Sequence, residues 1–120
     1  VYSKYDFFFV HYKKTDAAGE DGDFDRKVKA IEEMDRAMPR LLKLAPDVLV
    51  VTGDHSTPAT LKGHSWHPVP FLLHAKWCRR NKVTKFGESE CATGGLGLFP
   101  ATDAMPLALA HAQKLNKYGA

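Results

Sequence analysis

The sequence predicts an α/β fold in which a mostly parallel sheet is flanked by helices. Three segments carry this prediction: an aromatic run at residues 6–12, a helical stripe between residues 24 and 42, and a β-branched run at residues 47–52. The order strand, helix, strand forms a βαβ unit, whose crossover makes the two strands parallel. We therefore expect both strands to lie in one sheet.

The first predicted strand, residues 6–12, is aromatic and apolar without clean alternation, which is typical of a strand buried on both faces. Residues 13–23 then have the composition of a loop. Within that loop, Asp21 or Asp23 is a candidate N-cap for the helix that follows.

The predicted helix repeats its apolar residues at intervals that bring them close to one face, and we expect this stripe to pack on the sheet. Pro39 lacks a backbone donor and crowds the preceding turn, so we expect either a kink or a second short helix beginning near Met38. The stripe consists of Phe24, Val28, Ile31, Met38 and Leu42.

Residues 47–52 lie between Pro46 and Gly53 and predict a central strand. Residues 69–74 could form another strand, whereas the polar, basic and glycine-rich residues 76–97 predict a loop. A last helix is expected after an N-cap at Thr102 or Asp103, with Pro106 in its first turn, Leu107, Ala110 and Leu115 on its buried side, and Gly119 just beyond its end.

Composition narrows the class of protein. With 120 residues, 44% hydrophobic and 26% charged, the chain suits one globular domain, and its apolar runs are too short for a spanning helix. A net charge of +3 is too small to imply nucleic acid, and two cysteines favour a reducing, cytoplasmic compartment. Because Val1 replaces an initiating methionine, we expect the chain to be part of a longer protein.

Candidate ligands follow the predicted central strand, because open parallel sheets bind ligands beyond the carboxyl ends of their strands. Asp54 and His55 occupy this position after Gly53. A carboxylate oxygen beside an imidazole nitrogen suits zinc or manganese better than magnesium. The alternative interpretation is an ordinary turn with an exposed histidine.

Further candidate ligands lie on either side of this pair. Asp16 and Glu20, with Gly19 between them, could face one cation if their loop turns back; alternatively they are solvated, or they stabilise the start of the next helix. His64 and His67 add imidazoles downstream, although a proline-rich surface loop with exposed histidines would have the same composition.

Three motifs in order, at residues 11–22, 52–58 and 64–70, resemble those of the archaeal-type cofactor-independent phosphoglycerate mutases of the alkaline phosphatase superfamily. Residues 90–97 and 105–109 extend the resemblance over nearly the whole chain. The resemblance implies that residues 1–120 are the C-terminal part of an alkaline-phosphatase-like, metal-dependent phosphatase or mutase domain.

In that family, two divalent metal ions activate a serine that accepts the phosphoryl group of 3-phosphoglycerate and returns it to give 2-phosphoglycerate. The resemblance implies that Asp16 and His64 bind one ion and that Asp54 and His55 bind the other. Glu20 stands where the family usually has histidine, and a carboxylate there favours a harder ion. Manganese is the expected metal, with zinc, cobalt and magnesium left open.

The family's nucleophilic serine and its first metal-binding aspartate are expected upstream of Val1, so no catalytic residue is assigned here and the segment alone should be inactive. The implied partner is a small phosphoglycerate, without nucleic acid or membrane, and a homo-oligomer is left open. Two alternatives remain: hydrolysis of a phosphomonoester or phosphonate at the same site, or a non-catalytic module that binds a metal or an anion.

Overall fold

The structure is a computed structural model that describes residues 2–116. Both α-helices and β-strands are present, as the sequence predicts, although the sheet within the described residues has only two strands. Short 3₁₀ turns at Tyr2–Lys4 and Ala101–Asp103 accompany them. The regular elements are α1 (Lys14–Glu20), α2 (Phe24–Leu42), β1 (Val48–Val51), β2 (Leu72–Ala75), α3 (Glu88–Cys91) and α4 (Ala104–His111).

The described residues form two compact units. The first contains the residues up to Met38 together with Thr57–Ser65, and the second contains Pro39–Ser56 and the residues from Trp66 onward. Helix α1 belongs to the first unit, and the paired strands belong to the second.

Helix α1 occupies residues that the sequence predicts to be a loop, so this prediction is wrong. The helix lacks the apolar stripe by which a helix is predicted from sequence. Its buried residues are Ala18 and Gly19. These small residues allow the backbone of α1 to approach its neighbours closely. The helix also places Asp16 and Glu20 one turn apart, where side chains at i and i+4 share a face.

Helix α2 follows the predicted pattern at its start and departs from it later. The carboxylate of Asp23 accepts the backbone N–H of Arg26 at 2.9 Å, which confirms one of the two predicted N-caps. A single helix continues through Pro39 to Leu42, so no second helix begins near Met38. The expectation that the apolar stripe packs on a sheet is wrong for Phe24 and Ile31, which are 67% and 53% exposed.

The two strands correct the predicted sheet. β1 confirms the central strand, and β2 confirms the proposed strand near residues 69–74 with a small shift. They pair antiparallel, with Val48 opposite Ala75 and Val51 opposite Leu72, and among the described residues there is no parallel pair. The mostly parallel sheet is therefore not observed in this part of the chain.

The parallel arrangement was inferred from a first strand at residues 6–12, and that prediction is also wrong, because these residues form neither helix nor strand. A strand needs a neighbour to receive its backbone hydrogen bonds, and residues 2–116 provide none at this position. Phe9 is 81% exposed, whereas Phe8 stacks on Tyr2 with ring centroids 5.3 Å apart.

The carboxyl-terminal helix α4 begins after Asp103, one of the two predicted capping positions, and contains Pro106 in its first turn. The predicted loop at residues 76–97 is interrupted only by the four-residue helix α3. Leu115 lies beyond the end of α4 and is exposed, contrary to expectation, and Gly119 lies outside the described residues. None of the helices within residues 2–116 combines the length and apolar character needed to cross a bilayer.

Candidate metal centre

Three of the predicted ligands meet within the first unit, where His64 faces two carboxylates of α1. His64 Nε2 lies 3.6 Å from Asp16 Oδ1 and 3.6 Å from Glu20 Oε1. We call Asp16, Glu20 and His64 the carboxylate–imidazole cluster. One turn of helix, rather than a folded loop, brings Asp16 and Glu20 to the same side of α1, facing His64.

The distances from His64 to the two carboxylates are compatible with ligation of a divalent ion. Ligands about 2.0–2.2 Å from a shared ion lie about 2.8–3.1 Å from one another in octahedral geometry and about 3.3–3.6 Å in tetrahedral geometry, so separations of 3.6 Å need little adjustment. Asp16 and His64 both belong to a group of side chains that could hold a metal ion. One nitrogen and two carboxylates make a mixed donor set that suits manganese or zinc.

Asp16 is the most enclosed member of the cluster. Its side chain is only 16% exposed, compared with 54% for His64 and 48% for Glu20. Its Oδ1 accepts the Thr57 hydroxyl at 2.7 Å, and its Oδ2 accepts the Lys13 ammonium at 3.1 Å. Thr57 contributes a neutral hydroxyl donor and Lys13 a cationic ammonium donor.

Asp54 and His55 lie in the second unit, just after β1. His55 Nε2 is 3.6 Å from Asp54 Oδ2, and the backbone N–H of His55 donates to Asp54 Oδ1 at 3.2 Å. Nearby, the Thr52 hydroxyl donates to the carbonyl of Pro70 at 3.0 Å, which ties the end of β1 to the segment before β2. The pair is thus held at a strand end, as the sequence predicts. The remaining predicted imidazole, His67, stacks on Trp66 with ring centroids 4.9 Å apart.

An exposed ion pair joins α1 to α2 in the first unit. The Lys14 ammonium donates to both oxygens of Glu33, at 2.7 and 2.9 Å. This hydrogen bonding lowers the pKa of Glu33 and raises the pKa of Lys14. Burial raises the pKa of Tyr12, and its side-chain hydrogen bond with Glu33 raises this pKa further. Lys14 is thereby paired with a carboxylate of α2.

Sequence reasoning gave no role to Thr57, which is the only buried polar residue among the described positions of the chain. Lys27 donates from its ammonium to the Thr57 carbonyl and was equally without a predicted role. A single threonine forms no sequence pattern that indicates a function. Only its position shortly after Asp54-His55, within the motif at residues 52–58, could have suggested a role for Thr57. Its partner on α1 becomes visible only in the fold.

This arrangement of carboxylates and imidazoles is compatible with a metal-dependent enzyme domain. Residues 2–111 match the model of the metalloenzyme superfamily, and the chain belongs to that superfamily. Within it, the chain is 61% identical over 120 residues to a Thermosipho africanus protein named "Probable 2,3-bisphosphoglycerate-independent phosphoglycerate mutase". It is 53% identical over 120 residues to a protein of the same name from Aquifex aeolicus.

The matches cover the whole of this chain but only a minor part of each relative. The chain spans 30% of the length of both proteins. A solved structure, that of the PH0037 protein from Pyrococcus horikoshii, superposes with a TM-score of 0.92 at 38% sequence identity. That match covers 98% of this chain and 37% of the other. The relatives therefore contain a large region for which this chain has no counterpart.

Proposed function

We propose that this chain is the carboxyl-terminal, metal-binding part of a longer protein, here called the complete protein, which is a 2,3-bisphosphoglycerate-independent phosphoglycerate mutase. The carboxylate–imidazole cluster is the observation that carries the proposal, because it joins residues of two separate family-like motifs. The names of the relatives from Thermosipho africanus and Aquifex aeolicus support the reaction. The complete protein would interconvert 3-phosphoglycerate and 2-phosphoglycerate.

Two divalent ions are part of this proposal. Asp16, Glu20 and His64 would hold one ion, and Asp54 with His55 would contribute to the other. Manganese is the metal we favour, because each set mixes imidazole nitrogen with carboxylate oxygen and because Glu20 adds a further oxygen. When bound, paired ions neutralise charge on the phosphoryl oxygens and lower the pKa of a hydroxyl nucleophile.

The residues of this chain would bind and orient rather than attack. Partial enclosure of Asp16 keeps its carboxylate in one orientation, while His64 and Glu20 remain about half exposed and leave room for substrate oxygens. The nucleophilic serine would come from the rest of the complete protein. Exposed aromatic residues such as Phe7 and Phe9, at 61% and 81%, support a packing partner in that region.

A cytoplasmic location goes with this proposal. Cys78 and Cys91 are both free thiols, which suits a reducing compartment. The substrate would be a small phosphoglycerate, and the oligomeric state is a separate question that gel filtration of the complete protein would answer.

The proposal is tested with the complete protein and its His55→Ala variant. Metal content and conversion of 3-phosphoglycerate to 2-phosphoglycerate are measured for both, with His74→Ala as the control because His74 is an exposed residue of β2. We expect loss of metal and of mutase activity only in His55→Ala. Full activity in that variant would exclude His55 from the site, and release of inorganic phosphate without isomer formation would instead identify a hydrolase.

A further inference from the structure

Thr57 is hydrogen-bonded to Asp16, one of the proposed metal ligands. Its side chain packs against α1 within the first unit, and the residue is 4% exposed. Its hydroxyl donates to Asp16 Oδ1 at 2.7 Å, the usual distance for an O–H···O hydrogen bond. Because a buried hydroxyl is costly without a partner, this bond ties the orientation of Asp16 to the position of Thr57.

The backbone of Thr57 is also fixed. The Lys27 ammonium, from α2, donates to the Thr57 carbonyl oxygen. Gly19 of α1 lies so close that a Cβ added there would come within 2.9 Å of Thr57 Cγ2. The threonine is therefore positioned by contacts from two helices, and its hydroxyl has little freedom to point elsewhere.

From this geometry we infer that Thr57 is a positioning residue for metal binding: it acts through Asp16 and does not itself touch the ion or the substrate. The inference rests on the proposed function, in which Asp16 is a ligand. Carboxylates that ligate metals are commonly oriented by a hydrogen bond from a neighbouring group, and loss of such a bond typically lowers metal affinity about 10–100-fold. One Asp16 oxygen would accept from Thr57 while the carboxylate retains lone pairs for an ion.

Two substitutions separate the hydroxyl from the packing of the side chain. Thr57→Val keeps the branched shape beside Gly19 and removes the donor, whereas Thr57→Ser keeps the donor and removes the methyl group. Thr60→Val is the matched control, because Thr60 is an exposed threonine of the same segment. Each variant is made in the complete protein, and thermal unfolding is recorded to establish that it folds.

The measurement is Mn²⁺ binding by titration calorimetry, together with the dependence of mutase activity on Mn²⁺ concentration. We expect Thr57→Val to weaken Mn²⁺ binding about 10–100-fold, and Thr57→Ser to stay within about threefold of the parent. At saturating Mn²⁺, Thr57→Val should recover most of its activity, since a positioning residue makes no contact with substrate.

Three outcomes would overturn the inference. The first is Mn²⁺ affinity in Thr57→Val within about twofold of the parent, a difference too small for a lost charge-assisted bond. The second is an equal loss of affinity in Thr57→Val and Thr57→Ser, which would assign the effect to packing. The third is an equal loss in Thr60→Val. If the parent protein itself binds no Mn²⁺, the proposed function fails first, and the two failures are thereby distinguished.

Discussion

Gly19 gives the sharpest test of the close approach between α1 and Thr57, because two physical effects oppose each other at this position. In a helix interior, replacing glycine with alanine normally stabilises by about 0.5–1 kcal/mol. At Gly19, however, the new Cβ would lie well under 3.0 Å from the backbone carbonyl oxygen of Thr57, closer than real Cβ contacts come. Backbone must move to relieve this contact.

Overpacking of this kind costs about 1–3 kcal/mol, and we place Gly19→Ala near the upper end because the obstacle is backbone rather than a flexible side chain. Subtracting about 1 kcal/mol of helix propensity leaves a net destabilisation of about 2 kcal/mol. The same shift should displace Thr57 and weaken Mn²⁺ binding. Thermal and urea unfolding of the complete protein measure the first effect, and calorimetry measures the second.

Gly63→Ala is the matched control, because a Cβ at that position meets only the Leu61 carbonyl oxygen, at 3.8 Å. We expect its stability to remain within about 0.5 kcal/mol of the parent. If Gly19→Ala proves as stable as the parent, or more stable as helix propensity alone predicts, the described approach of α1 to Thr57 is incorrect.

Three further substitutions test other parts of the structure. Asp23→Ala removes the N-cap of α2 and should cost about 1 kcal/mol in urea unfolding, whereas Asp35→Ala, in mid-helix, should cost less; equal costs would exclude the cap. Glu33→Gln should lose the ion pair with Lys14 and be less stable than the parent. Because the pKa of Glu33 is lowered in the fold, this difference in stability should be present above about pH 4.3 and should disappear as the pH falls further. A difference that persists in acid would refute this. Glu20→Gln should weaken Mn²⁺ binding at least about tenfold by calorimetry, and unchanged affinity would remove Glu20 from the site.

The elements that the sequence predicted well have strong local causes. β1 is β-branched and bounded by Pro46 and Gly53, and Asp23 precedes α2 as a capping residue. Asp54 and His55 follow β1 directly, where the sequence places them. In each case the signal lies within a few residues.

The errors have a common physical origin in contacts that are distant along the chain. The aromatic run at residues 6–12 indicates burial, but it does not say which strand would pair with it, and the parallel sheet depended on that pairing. Helix α1 has small residues instead of an apolar stripe, because it is packed closely against Thr57. The role of Thr57 depends on a contact with Asp16, 41 residues away in the sequence.

The central claim is that this chain supplies ligands for two divalent ions, and anomalous diffraction from Mn²⁺-loaded crystals of the complete protein tests it most directly. We predict two manganese peaks, one bound by Asp16, Glu20 and His64 and the other bound by Asp54 and His55. Peaks that contact none of these side chains, in crystals of an active protein, would contradict the account.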